Sequence, residues 1–69
     1  SAYINRAAAK ARLEDFSGAL NDYAKVIELN PKNTMGYFYR GQTRNNIHDY
    51  DGAIEDFNKI IELEPDIAL

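Results

Sequence analysis

Sixty-nine residues with no cysteine, one histidine and a formal net charge of −3 exclude a disulfide scaffold, a thiolate or histidine-cluster metal site, and the basic stripe that binding to nucleic-acid phosphate or an anionic membrane requires. A chain this short forms one small domain that buries only about 60% of the surface it exposes when unfolded, so its core is thin. With 45% apolar residues and 28% charged residues of both signs, it reads as folded rather than disordered.

From Ala2 to Leu13 the apolar residues Tyr3, Ile4, Ala7, Ala8, Ala11 and Leu13 fall at the three-and-four spacing of a helix. Ser1 is a candidate N-cap, and Glu14 and Asp15 break the pattern. The break is short, so the next helix folds back antiparallel. That helix is expected over 17–29, capped by Asp15 or Ser17, with Ala19, Leu20, Tyr23, Val26 and Ile27 on its apolar face. Pro31 ends it, because proline lacks the helical donor and pushes Asn30 out of the helical region. After the loop 30–33, Thr34 is the expected cap of a third helix over 34–47. His48 and Asp49 form a turn, a fourth helix covers 51–63, and Pro65 stops it. Residues 66–69 read as the first turn of a further, truncated helix. Ser1 opens directly on a periodic segment, which suggests a piece of a longer chain. No run approaches the roughly 18 apolar residues of a membrane span, the N-terminal residues show no signal-peptide pattern, and the compartment is left open.

The stretch from Leu13 to Pro31 returns as Ile47 to Pro65, thirty-four residues on. At that offset Tyr3 meets Tyr37, Arg6 meets Arg40, Asp15 meets Asp49, Gly18 meets Gly52, Asp22 meets Asp56 and Lys25 meets Lys59. A fixed period of about 20–50 residues marks a stacked repeat protein. The charge is uneven: residues 1–33 carry five Lys/Arg against four Asp/Glu, residues 34–69 three against seven, +1 and −4 summing to −3.

Tyr3, Ala7, Ala19, Tyr23 and Pro31, and again Tyr37, Gly41, Ala53, Phe57 and Pro65, resemble the pattern of the tetratricopeptide repeat family. The resemblance implies an all-α fold of two antiparallel helix-turn-helix hairpins, residues 1–33 and 34–67, stacked as a right-handed α-solenoid. Small residues at 7, 19, 41 and 53 suit close helix approach, and Tyr23 and Phe57 suit the space between one pair and the next. Arg6 and Arg40 stand where the family pattern has a leucine, and Lys10 and Arg44 where it often has a tyrosine. Each arginine precedes an aspartate by sixteen residues, so Arg6–Asp22 and Arg40–Asp56 are expected to pair across each hairpin.

The resemblance further implies that the first helix of each pair lines a concave peptide groove. Candidate groove residues are Ile4, Asn5, Ala8 and Arg12 in the first repeat and Phe38, Tyr39, Gln42, Asn45 and Asn46 in the second. Amides can donate to and accept from a peptide backbone, and Phe38 or Tyr39 can hold an apolar anchor. The expected partner is therefore a protein or peptide, with no nucleic acid, membrane, cofactor or metal. The segment around Asn5 also resembles the carboxylate-clamp subgroup that captures acidic chaperone C-termini. Met35 and Tyr39, however, stand where such a clamp supplies lysine and arginine. Another alternative is self-association: two repeats are fewer than the three usually needed, and Ile54, Phe57, Ile60 and Ile61 would remain partly exposed.

Nothing in the sequence points to catalysis. The carboxylates read as helix-surface partners of lysine, Asp22 with Lys25, Glu55 with Lys59 and Lys59 with Glu62. His48 reads as a loop residue without a nucleophile nearby, and Gly18 and Gly52 as early-helix positions without phosphate-loop spacing.

Overall fold

In the computed structural model, which describes residues 2–64, the chain forms α1 Ala2–Arg12, α2 Phe16–Leu29, α3 Thr34–Asn46 and α4 Tyr50–Leu63, with no strand among the described residues. The all-α hairpin fold expected from the 34-residue period is the one observed. Ser1 as a cap, Pro65 as a stop and a helix beginning at 66–69 lie outside the described residues.

One device builds both hairpin turns. At the end of α1, the Asp15 N–H donates to Lys10 O at 2.8 Å and the Glu14 N–H to Ala11 O at 3.0 Å, while Glu14 adopts φ 64°. This is a left-handed C-terminal cap, which satisfies carbonyls that the helix itself leaves open. Asp15 then opens α2, its carboxylate accepting the Gly18 N–H at 3.1 Å. Thirty-four residues on, Asp49 N–H donates to Arg44 O at 2.8 Å, His48 takes φ 67°, and the Asp49 carboxylate accepts the Gly52 N–H at 3.1 Å. Each aspartate therefore closes one helix and caps the next. The helices accordingly begin one residue earlier than expected, at Phe16 and Tyr50, and end one residue earlier, at Arg12 and Asn46. A Cβ at residue 18 would fall 2.9 Å from Asp15 Cγ, so the capping carboxylate occupies the space a side chain there would need.

The link between hairpins uses a different cap from the one expected. Asn33, not Thr34, is the N-cap of α3, accepting the Met35 N–H at 2.9 Å. Thr34 is the first helical residue, and its hydroxyl donates to Glu64 Oε1 at 3.0 Å instead. Asparagine wins because its side-chain oxygen reaches the open N–H groups from a backbone already extended, at ψ 109°.

Within each hairpin α1 packs on α2 and α3 on α4, and α3 also lies along α2. Ala7, Ala19 and Tyr23 form the buried centre, with Ile4, Ala11 and Tyr39 against it. Tyr39 reaches across from the second hairpin to stack on Tyr23, centroids 5.7 Å apart and rings 14° from parallel. In the second hairpin Gly41 and Ala53 are buried. A Cβ at Gly41 would sit 3.0 Å from Phe57 Cε1, which is why the smallest residue stands where α3 and α4 approach. Gly36 plays the same part between hairpins: a Cβ there would lie 2.9 Å from Ile27 Cγ1 and 3.2 Å from Val26 Cγ1.

Candidate interaction surface

Four of the five cations on the first helices of the two hairpins reach a buried aspartate. Arg6 donates to Asp22 through Nε at 2.9 Å and Nη2 at 2.8 Å, and Lys10 Nζ lies 3.2 Å from the same carboxylate. Arg40 Nη2 meets Asp56 at 2.7 Å, and Arg44 Nη1 meets it at 3.0 Å. Both arginine–aspartate pairs expected from the sixteen-residue spacing are formed. Their guanidinium groups also lie over Tyr3 and Tyr37, at 5.3 and 5.7 Å from the ring centroids.

Asp22 and Asp56 are only 5% and 2% exposed, so neither belongs to the solvated face assigned to it. A buried carboxylate requires partners, and these two draw on cations one helical turn apart on the facing helix. The expected Asp22–Lys25 surface pair is thus replaced by an internal one. Lys25 meets Glu28 at 3.4 Å, and of the two partners expected for Lys59, Glu62 is the one it meets, at 3.3 Å. The Arg6 hydrogen bond is the main cause that holds the Asp22 carboxyl down to about 2, against an ordinary value of 3.8; burial opposes the shift and Lys10 adds to it. Burial, with the neighbouring Tyr39, pushes the Tyr23 phenol up.

With these four charges committed inward, the outward positions of α1 and α3 are left to neutral groups, Arg12 excepted. Asn5, Arg12, Gln42, Asn45 and Asn46 are exposed, Ala8 is half-buried, and Phe38 is exposed. Ile4 and Tyr39 differ from the rest of the candidate set: both are half-buried against the Ala7, Ala19 and Tyr23 centre, Ile4 from its own hairpin and Tyr39 from the second. Phe38 turns toward α4 of its own hairpin, its ring 5.4 Å from Tyr39 and 6.3 Å from Phe57.

Phe38 and Tyr39 also border an apolar cleft of about 420 Å³ with Met35, Phe57, Ile60 and Ile61, Thr34 standing at its margin. A cleft lined this way takes an apolar body. The row Ile54, Phe57, Ile60 and Ile61 was expected from the sequence to be partly exposed; Ile54 and Ile61 are more than half exposed, and Phe57 and Ile60 are half-buried. The contribution of Met35 was not. The signal for it is its place one turn before Tyr39 on an amphipathic helix.

The remaining chemistry is sparse among the described residues. They hold no group of three metal-ligating side chains, and no helix is long and apolar enough to cross a membrane. His48 Nδ1 lies 2.7 Å from the Tyr50 hydroxyl in the exposed turn.

A tetratricopeptide repeat family model matches residues 1–33, and a second tetratricopeptide repeat model matches residues 22–55. No curated protein matches the chain. The second match begins midway along α2 and spans one full period, as a pattern that recurs every thirty-four residues allows. The chain belongs to the tetratricopeptide repeat family, a non-catalytic family of protein–protein interaction repeats, and its four helices are stacked helix-turn-helix repeats of that kind.

Proposed function

We propose that the chain holds an extended peptide segment of a protein partner along the outward faces of α1 and α3. The observation that carries this reading is the division of labour on those helices. Arg6, Lys10, Arg40 and Arg44 are drawn into Asp22 and Asp56, and Asn5, Gln42, Asn45 and Asn46 are left outward with Phe38. An amide row matches a peptide main chain, which offers one donor and one acceptor per residue, and Phe38 offers an apolar contact beside it. Arg12 remains as an exposed cation at the end of α1. The same arrangement disfavours a clamp for free carboxylates, because the basic side chains such a clamp needs are committed to the internal aspartates, and Met35 and Tyr39 are neutral.

A peptide array probed with the chain and with Asn5→Ala, Gln42→Ala and Phe38→Ala variants tests the reading. Each substitution is expected to weaken the bound spots by about tenfold, the equivalent of losing one good contact. Unchanged binding in all three removes the groove. Bound peptides resynthesised with free and amidated C-termini should bind equally; a preference for the free carboxylate would restore the clamp.

A further inference from the structure

Six of the eight Lys and Arg side chains lie in ion pairs among the described residues, four of them with the buried Asp22 and Asp56. Those six already have carboxylate partners within the chain. Of the other two, Lys32 stands in the loop between α2 and α3, and Arg12 is the exposed last residue of α1. Glu14 and Asp15 follow Arg12 closely in sequence, but Glu14 sits in the left-handed turn and the Asp15 carboxylate holds the Gly18 N–H. The ion pairs of the described residues join neither of them to Arg12.

The helix period fixes where Arg12 stands. It follows Ala8 by four residues and Asn5 by seven, so the three share one face of α1. The same spacing aligns Phe38, Gln42 and Asn45 on α3. Neither helix contains an Asp or Glu; the acids of the described residues are on α2, on α4 or in their caps and turns. A carboxylate brought to this face therefore meets one uncommitted cation and no like charge on either helix. One guanidinium suits one carboxylate, which it can grip through two parallel N–H donors.

The apolar contact lies at the opposite end of the face. Phe38, 43% exposed, is in the second turn of α3, whereas Arg12 ends α1 and is equivalent in the repeat to Asn46. The rise from Phe38 to the level of Asn46 is about 12 Å. Tyr39 packs on the centre to which Ala7 belongs, so α1 and α3 are neighbours, with axes about 10 Å apart. The diagonal is about 16 Å, which an extended chain covers in about five residues. We infer that the groove reads an internal Asp or Glu of the bound segment at Arg12 and an apolar side chain at Phe38, about five residues apart. The inference rests on the peptide-binding reading and adds to it the class of segment: acidic at one end and apolar at the other.

The probe is an array of random, C-terminally amidated peptides of about twelve residues, bound by the 69-residue chain. Bound sequences should be enriched in an acid about five residues from an apolar residue. Each hit is then resynthesised with its acid as the amide and as lysine, and measured by fluorescence polarisation. The amide should bind about fivefold more weakly than the acid, a gap that narrows as salt is added. Arg12→Gln should abolish the gap, Arg12→Glu should favour the lysine peptide, and Lys32→Gln should leave the gap intact, all with the helical circular dichroism of the parent. Phe38→Ala should remove the apolar preference alone. Peptides bound equally well as acid, amide and lysine overturn the inference and leave the peptide-binding reading standing. An acid preference that survives Arg12→Gln, or that Lys32→Gln abolishes, also overturns it, since another cation then reads the acid. An array with no bound peptide removes both.

Discussion

At Asp22 a single side chain carries an acid dependence whose sign follows from its partners. Its carboxyl is held down to about 2 in the fold, chiefly by the Arg6 hydrogen bond, against 3.8 ordinarily. Above about pH 4 the group is ionised whether the chain is folded or not, and the whole contribution is present. Between pH 4 and 2 the unfolded chain takes up a proton that the folded chain refuses, so stability falls as the pH falls, and below 2 the contribution is gone. Urea midpoints of the parent and of Asp22→Asn should therefore differ most at pH 5 to 7 and converge toward pH 2. A gap that stays constant across that range would show that the charge is not what Asp22 contributes. The sixteen-residue spacing made Arg6–Asp22 and Arg40–Asp56 legible, because a short turn between two helices brings such positions opposite each other. The second cation on each carboxylate, Lys10 and Arg44, was not assigned, since whether it points inward depends on the depth of the aspartate.

At the scale of the element, the two hairpin turns carry strain that the sequence does not advertise. Glu14 and His48 occupy the left-handed region at φ 64° and 67°, where a side chain costs roughly 1–2 kcal/mol and glycine none. Glu14→Gly should raise the stability measured by urea denaturation by about 1 kcal/mol, the strain relief less the added freedom of the unfolded glycine. His48→Gly should gain less, because it also removes the Nδ1 contact with the Tyr50 hydroxyl. A loss of stability in Glu14→Gly would mean the turn is held by that side chain and not in spite of it. With no glycine at 14 or 48 to mark the left-handed cap, periodicity alone placed the helix boundaries one residue late. Asp15 as a cap could be read from the sequence; its backbone closing the preceding helix could not.

For the whole molecule the question is what makes two hairpins one unit. The contact between them is carried by Gly36 against Val26 and Ile27 and by Tyr39 stacked on Tyr23. In repeat proteins the stability of the array depends on such nearest-neighbour interfaces as much as on each unit. Tyr39→Ala should therefore cost about 2–3 kcal/mol, a half-buried aromatic and its stacking partner, and should also split one unfolding transition into two. The probe is circular dichroism at 222 nm set beside tyrosine fluorescence during urea titration: coincident curves in the variant would show that the hairpins stay coupled without Tyr39. Its spacing puts Tyr39 on the outer side of its own hairpin, and that side is where α2 of the first hairpin comes to lie.

The sequence by itself determined the period, the four helices, the all-α class and the pairing of Arg6 with Asp22 and Arg40 with Asp56. All of these rest on local spacing and on a 34-residue echo that needs no third dimension to be seen. Tertiary structure decided which repeated positions remain equivalent. Ile4 and Phe38, or Val26 and Ile60, hold the same place in the pattern, yet Ile4 packs on the buried centre and Val26 lies under α3, while Phe38 and Ile60 border the cleft. The physical reason is that burial belongs to a neighbour and not to a residue: the same helical face is core where another helix covers it and an open apolar cleft where, among the described residues, none does.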